Sequence, residues 1–269
     1  MVTQTWQVET TAAERYEALL VPALMTAWAP RVVAAAGVGT GDRVLDVACG
    51  TGIVARTAAD RVGATGRVVG LDLNPGMLAV AARVRPDLDW RQGDAAALPF
   101  PAASFERVLC QFALMFFPDR LAALREMHRV LTSSGSVALA TWAAIKVSPP
   151  YARQAEIAGR LAGAGAEAIV RAPFVLHDAA ELGGLLDAAG FEAVRVETIR
   201  DAVTYPSVEA FLEGEFDATP LGAMLRELGG TVYEGAKAEM DEALAPFRTA
   251  SGVTFPVAAH VVSGRVGSA

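Results

Sequence analysis

Asp46 stands four residues ahead of Gly50 in Val44-Leu45-Asp46-Val47-Ala48-Cys49-Gly50-Thr51-Gly52, a β-type run that breaks into a glycine turn. A strand, a tight glycine turn and a following helix make a device for holding a nucleotide-like group, because the first helical amides point at whatever sits on the turn. The glycines alone are ambiguous. Gly50-Thr51-Gly52-Ile53-Val54-Ala55 also satisfies the permissive G-x-G-x-x-A dinucleotide fingerprint, and Asp72 follows at the expected distance of about 20 residues. A nicotinamide-dependent (NAD(P)) oxidoreductase is therefore the rival enzyme class. The carboxylates separate the two readings. Asp46 would repel a pyrophosphate and favour a cationic aminoacid group. Asp72, closing the second predicted strand, is placed to accept from both hydroxyls of a ribose, and Leu73 can cover an adenine face. Asp94, in Gly93-Asp94-Ala95 after the third strand, can accept from an adenine amino group, for which a dehydrogenase has no standard need.

At these residues the chain resembles the small-molecule class I S-adenosylmethionine-dependent methyltransferases, in the branch (methyltransferase type 11) that includes the ubiquinone and menaquinone C-methyltransferases. The likeness runs from Arg43 to Trp142 and extends to Phe255-Pro256-Val257-Ala258-Ala259-His260, which is similar to the closing strand of one bacterial branch. It implies an α/β, Rossmann-like, seven-stranded and mostly parallel sheet with helices on both faces, an antiparallel last strand and a helical cap. S-adenosyl-L-methionine is the implied cofactor and S-adenosyl-L-homocysteine the product. By residue, the resemblance assigns Asp46, Ala48, Gly50, Thr51 and Gly52 to the methionine portion, and Asp72 and Leu73 to the ribose and adenine. Met77 would pack on the adenine, Gly93, Asp94 and Ala95 would meet its edge, and Gln111 would line the sulfonium pocket. Ala48 departs from the glycine commoner at that position, and one methyl group still lets a ligand approach.

The elements that must position these residues follow from periodicity. Arg43 to Val47, Val68 to Asp72, Asp89 to Arg91, Arg107 to Cys110 and Ser136 to Thr141 read as five strands alternating with helices, a pattern that demands parallel pairing through right-handed crossovers. Arg120 to Leu131 reads as a helix with Leu121, Leu124, Met127 and Leu131 on one face, ended by Ser133-Ser134-Gly135. Ahead of the sheet, Thr11-Ala12-Ala13-Glu14 is a capping box; its helix should be interrupted near Pro22 before a second reaches about Ala36. Asp178-Ala179-Ala180-Glu181 starts another helix and Gly190 stops it. Phe191 to Tyr205 and Gly252 to Gly264 form a late antiparallel pair. The chain reads as a single domain over 1–269, with an N-terminal helical lid at 1–40 and a cofactor-binding core at 41–145. Cap segments fall at 146–190 and 206–251, and the strand pair at 191–205 and 252–264.

Ligands of open α/β sheets bind outside the carboxyl ends of the strands, which aims Gln111-Phe112-Ala113-Leu114-Met115-Phe116-Phe117 at the reacting centre. Phe112 and Phe116 are substrate-pocket candidates, as are Tyr16 and Trp28 on the lid. This apolar lining suits a quinone, phenol, polyketide or lipid-like acceptor, and aromatics suit a nearby sulfonium. No general base stands out. His128 lies on the helix between strands four and five and His260 in the last strand, both read as packing residues; His177, ahead of the Asp178 cap, is the candidate base. Ser148-Pro149-Pro150-Tyr151 resembles the Asn-Pro-Pro-Tyr loop of amino-group methyltransferases, but it follows strand five rather than strand four and is set aside. A protein that keeps the pocket for a non-methylating reaction or for sensing is the second functional reading.

The bulk numbers agree with a small-molecule enzyme. With 53% apolar residues among 269 the chain can fill a sizeable core, and its net charge of −7 without a Lys/Arg run disfavours a nucleic-acid partner. The longest apolar stretch, Val137 to Ile145, is far short of the roughly 20 residues of a membrane helix and reads as a buried strand. Met1 to Thr10 show no export signal, so a cytoplasmic protein without membrane insertion is expected, as a monomer or homodimer. Cys49 and Cys110 read as free thiols, and no metal-ligand spacing is present.

Overall fold

In the computed structural model, residues 10–267 are described; residues 1–9, which carry most of the export reading and the start of the lid segment, lie outside them. Eight strands form one sheet: β1 (Arg43–Val47), β2 (Arg67–Asp72), β3 (Asp89–Gln92), β4 (Phe105–Gln111), β5 (Leu131–Trp142), β6 (Phe191–Tyr205), β7 (Arg248–Thr249) and β8 (Gly252–Val266). Their order is β3-β2-β1-β4-β5-β8-β6, and the two-residue β7 pairs β8 at the side. The seven long strands are those expected; β7 is the addition. β1 to β5 are parallel, and β8 is antiparallel to both β5 and β6. Among the described residues no single helix is long and apolar enough to cross a membrane.

Eleven α-helices are described: α1 (Thr10–Arg15), α2 (Ala29–Ala35), α3 (Ile53–Val62), α4 (Pro75–Val84), α5 (Arg120–Val130), α6 (Pro149–Ala162), α7 (Ala164–Arg171), α8 (Ala179–Ala188), α9 (Val208–Leu212), α10 (Pro220–Glu227) and α11 (Gly230–Leu244). The strand order reverses between β1 and β4. Right-handed crossovers then put α3 and α4 on one face of the sheet and α5 on the other, which opens a crevice at the carboxyl ends of β1 and β4.

Two local expectations are corrected. α5 stops at Val130, and Leu131 already belongs to β5, because Phe105 pairs with Leu131 while Arg107 pairs with Ser136. Thr132 to Gly135 therefore bulge out within the strand instead of ending the helix. The N-terminal helix is not interrupted at Pro22. From Tyr16 to Met25 it widens into a π-helix that contains the proline, and the chain breaks only between Met25 and Ala29. The wider turn tolerates a missing amide that an α-helix would register as a kink.

Candidate functional site

The carboxyl ends of β1 to β5 open into a cavity of about 480 Å³, inside the ~300–1,000 Å³ typical of small-ligand sites. Ala48 and Gly50 after β1, Asp72 to Asn74 after β2, Gly93 to Ala96 after β3, Phe112 and Ala113 after β4, and Trp142 closing β5 supply its floor. Tyr16, Leu20, Leu24 and Met25 of the π-helix cover one side. Tyr151, Gln154, Ile169, Val170 and Phe174 cover another, and Glu215, Ala218, Thr219 and Leu221 complete the enclosure.

Asp72 is the hinge of the polar floor. Its Oδ2 accepts from the Gly50 amide at 2.7 Å and its Oδ1 from the Asn74 amide at 2.8 Å, so one carboxylate ties the β1 turn to the β2 turn. Burial raises its pKa, while the amide bonds oppose the shift. Each oxygen keeps a lone pair that can accept a ribose hydroxyl. Leu73 beside it is 49% exposed, an apolar face left beside the cavity. Asn74 caps α4, its Oδ1 accepting from Gly76 and Met77 amides, with Pro75 at the first helical position. Met77 and Ala95 line the same region. Asp94 uses Oδ1 to accept from the Ala96 amide, and no hydrogen bond among the described residues reaches its Oδ2.

The glycine turn is shaped by neighbours as much as by its own freedom. Gly50 has φ +55°, and a Cβ there would lie 3.9 Å from Cε1 of Tyr16, whose ring covers the turn. Gly52 has φ +90°, and its Cβ would meet Cη2 of Trp90 at 2.3 Å. Gly70 makes room for the same indole. Ala48 holds φ +55° with a side chain, a strain its commoner glycine counterpart would not carry.

Several assigned residues stand behind the cavity wall. Asp46 is 1% exposed and its Oδ2 accepts from the Ala55 amide at 2.9 Å, so its nearest positive partner is the start of α3 rather than a ligand. Burial, then the nearby Asp72, pushes its pKa up to about 8 against that bond. Thr51, Gly52 and Gln111 are also outside the lining; Gln111 donates to the Met25 carbonyl at 3.2 Å. Thr51 Oγ1, Gln111 Oε1 and Glu17 Oε2 are buried without a hydrogen-bond partner among the described residues. Glu17 pairs with Arg56, which also donates to the Thr51 carbonyl, and this chain pins the lid to the turn.

The aromatic floor holds a second correction. Trp28 does not reach the cavity. It is buried beneath it, edge-on to Phe112 and Trp142, while Phe112 and Trp142 stack at 3.9 Å and line the cavity themselves. Phe112 takes φ +51° to do so, backbone strain stored where β4 meets the site. Phe116 lines the cavity as expected. His177 does not: it is exposed, Nδ1 lies 2.9 Å from the Phe174 carbonyl, and its own carbonyl faces His260 Nε2 at 2.8 Å. His128 packs edge-on against Phe191. Cys49 and Cys110 are free and buried, and burial raises both thiol pKa values. Among the described residues no cluster of His, Cys, Asp and Glu could hold a metal ion.

Tyr151, Gln154, Asn74 and Glu215 are cavity residues that sequence reasoning passed over. Asn74-Pro75 was a readable helix start, and Glu215 falls four residues after the buried Phe211 and directly before the buried Phe216. Tyr151 belongs to the motif set aside for its address, yet α6 carries it back over the sheet.

These residues fit an adenosyl sulfonium cofactor. A bracing carboxylate with free lone pairs stands at the end of β2, Leu73 is exposed beside it, and a second carboxylate oxygen is free at Asp94.

Residues 45–139 match the family model described as a methyltransferase domain. A ubiquinone/menaquinone biosynthesis C-methyltransferase from Stenotrophomonas maltophilia is 43% identical over 138 residues, covering 48% of this chain and 54% of that protein. A chloroplastic 2-phytyl-1,4-beta-naphthoquinone methyltransferase from Arabidopsis thaliana is 39% identical over 121 residues, covering 42% and 46%. The chain thus spans about half the length of the curated relatives it matches. Among solved structures, a phosphoethanolamine N-methyltransferase 2 from Haemonchus contortus in complex with S-adenosyl-L-methionine superposes with a TM-score of 0.61 at 19% identity, covering 96% of this chain and 57% of that one. A putative methyltransferase from Bacillus halodurans reaches 0.57 at 21% identity, covering 89% and 98%. At these identities the structures speak to the fold, and they share it. Over residues 45–139 the chain is similar to the methyltransferase-domain family, and over 138 residues to a ubiquinone/menaquinone biosynthesis C-methyltransferase.

Proposed function

We propose that the protein transfers a methyl group from S-adenosyl-L-methionine to an apolar small molecule of the quinone, phenol, polyketide or lipid-like kind. One observation carries this reading: the carboxylate of Asp72, held by the Gly50 and Asn74 amides, forms a polar corner of a cavity lined mainly by apolar and aromatic side chains. The local likeness to quinone methyltransferases supports the same reading.

The bound cofactor supplies an electrophilic methyl group on a sulfonium that leaves as a neutral thioether. The protein's part is alignment and exclusion of water. Asp72 and Asp94 would orient the adenosine, and Ala48 and Gly50, the residues of the turn that reach the cavity, would hold the aminoacid end. Phe112 and Trp142 present ring faces that favour a cation and an aromatic acceptor alike. The π-helix and the cap close over both.

Calorimetric titration of the purified protein with S-adenosylmethionine, S-adenosylhomocysteine and NAD tests the cofactor. The first two should bind and NAD should not; the reverse pattern would sink the reading. Asp72→Ala should weaken S-adenosylmethionine binding by more than about 1 kcal/mol, because it removes charge-assisted bonds and unties two turns. Incubation with methyl-labelled cofactor and apolar extracts then tests transfer. Bound cofactor with no labelled product across a broad extract panel would favour the sensing or non-methylating alternative.

A further inference from the structure

Glu215 is a carboxylate that reaches the cavity, which Tyr151, Gln154 and Thr219 also line. It lies on the π-helical turn Glu213–Asp217, next to the lid: a Cβ on Gly214 would come within 2.9 Å of Leu20 Cδ2, so the bare glycine lets the turn close onto the helix that holds Tyr16 over Gly50. The Tyr151 and Tyr205 hydroxyls both donate to Oε1, at 2.8 and 2.7 Å. No hydrogen bond among the described residues reaches Oε2, and no ion pair reaches either oxygen. Burial raises the carboxyl pKa, and the two tyrosine bonds oppose that rise.

We propose that Glu215 receives the hydroxyl group of the acceptor and takes its proton as the methyl group is transferred, which makes the acceptor a hydroxylated aromatic compound such as a phenol or quinol. This rests on the methyl-transfer reading above. One free carboxylate oxygen matches the single donor of a hydroxyl, whereas an ammonium would bring three donors and need two further acceptors besides Oε2. Phe112, Trp142 and Phe174 offer ring surface to an aromatic body. In the step, the O–H proton passes to Oε2. The electron pair it leaves forms a bond from the acceptor oxygen, or from a conjugated ring carbon, to the methyl carbon, and the carbon–sulfur bond breaks with its pair staying on sulfur. After attack by a ring carbon the ring oxygen is a carbonyl; that carbon's own proton passes to solvent, its electron pair restores the aromatic ring, and Glu215 returns its proton to the ring oxygen. Tyr151 and Tyr205 are positioning residues, holding Oε1 so that Oε2 stays available.

The test is titration of the full chain, without cofactor, with 2-naphthol, 2-methoxynaphthalene and 2-naphthylmethylamine, followed by fluorescence and by the absorption change that accompanies naphthol deprotonation. The wild type should prefer 2-naphthol over its methyl ether by about 10-fold, the worth of one hydrogen bond to a charged group. Glu215→Gln should abolish that preference and any absorption shift, while S-adenosylmethionine still binds as in the wild type, which also shows the variant is folded. Should Glu215→Gln not fold, Tyr205→Phe, which removes one bond to Oε1, should reduce the preference. Equal binding of naphthol and ether by the wild type overturns the proposal, as does tighter binding of the amine that Glu215→Gln abolishes. Absence of S-adenosylmethionine binding to the wild type overturns the methyl-transfer reading instead, so the two failures are told apart.

Discussion

Replacing Asp46 by asparagine should change how the protein's stability depends on pH. Asp46 is fully enclosed at the end of β1, and burial lifts its pKa from 3.8 to about 8. A carboxyl with a raised folded pKa holds its proton more tightly in the native than in the unfolded state, so ionisation opposes folding. Its contribution is therefore most favourable below the unfolded value and is lost as pH rises through the window from 3.8 to about 8, levelling off above it. Each pH unit within that window removes about 1.4 kcal/mol, so the passage from about pH 4 to about pH 7 costs at most ~4 kcal/mol. Asp46→Asn keeps an oxygen for the Ala55 amide and deletes the titration. Urea unfolding of both proteins across this range gives the measurement. The stability of the variant relative to the wild type should grow by about 2–4 kcal/mol from about pH 4 to about pH 7 and flatten only above about pH 8. Taking the difference removes the opposite trend of Asp89 and Glu106, whose pKa values are lowered by bonds from Arg91 and Arg43. A difference that does not change with pH would refute the claim that Asp46 is enclosed without a compensating cation.

Two further changes probe the turn itself. Gly52→Ala should destabilise the protein by about 2–4 kcal/mol, read as a lower urea midpoint, because it forces a side chain into positive φ and against Trp90; Gly52→Ala with Trp90→Leu should recover only the steric part. An alanine tolerated within about 0.5 kcal/mol would show that the indole does not pack there. Ala48→Gly should be neutral or gain about 0.5 kcal/mol in the same assay, since relief of positive-φ strain slightly exceeds the entropy glycine adds to the unfolded chain. A loss above about 1 kcal/mol would mean the Ala48 methyl group does more by packing than the strain costs.

The sheet was readable from local pattern because its signals are local. β-branched runs ending at Val47, Asp72 and Gln111, with helix-period segments between them, admit few parallel topologies once crossovers must be right-handed. The cavity-facing residues were legible for the same reason: Gly50 and Asp94 sit just past a strand and Asp72 closes one, where the fold itself aims them at the crevice. Burial and long-range packing decided the rest. The sequence places Asp46 one strand-length from the turn, but only the packing of α3 against β1 turns its carboxylate to the Ala55 amide. Trp28 and His177 were plausible by address, and each lost its place to a neighbour: Phe112 and Trp142 cover the indole, and the Phe174 carbonyl holds the imidazole at the surface. Tyr151, Tyr205 and Glu215 meet across 54, 64 and 10 residues of chain. By itself the sequence determined the sheet and the turns at its carboxyl ends, which depend on neighbours in the chain; the tertiary structure alone decided which side chains of the flanking helices share the cavity, because that depends on how those helices pack over the sheet.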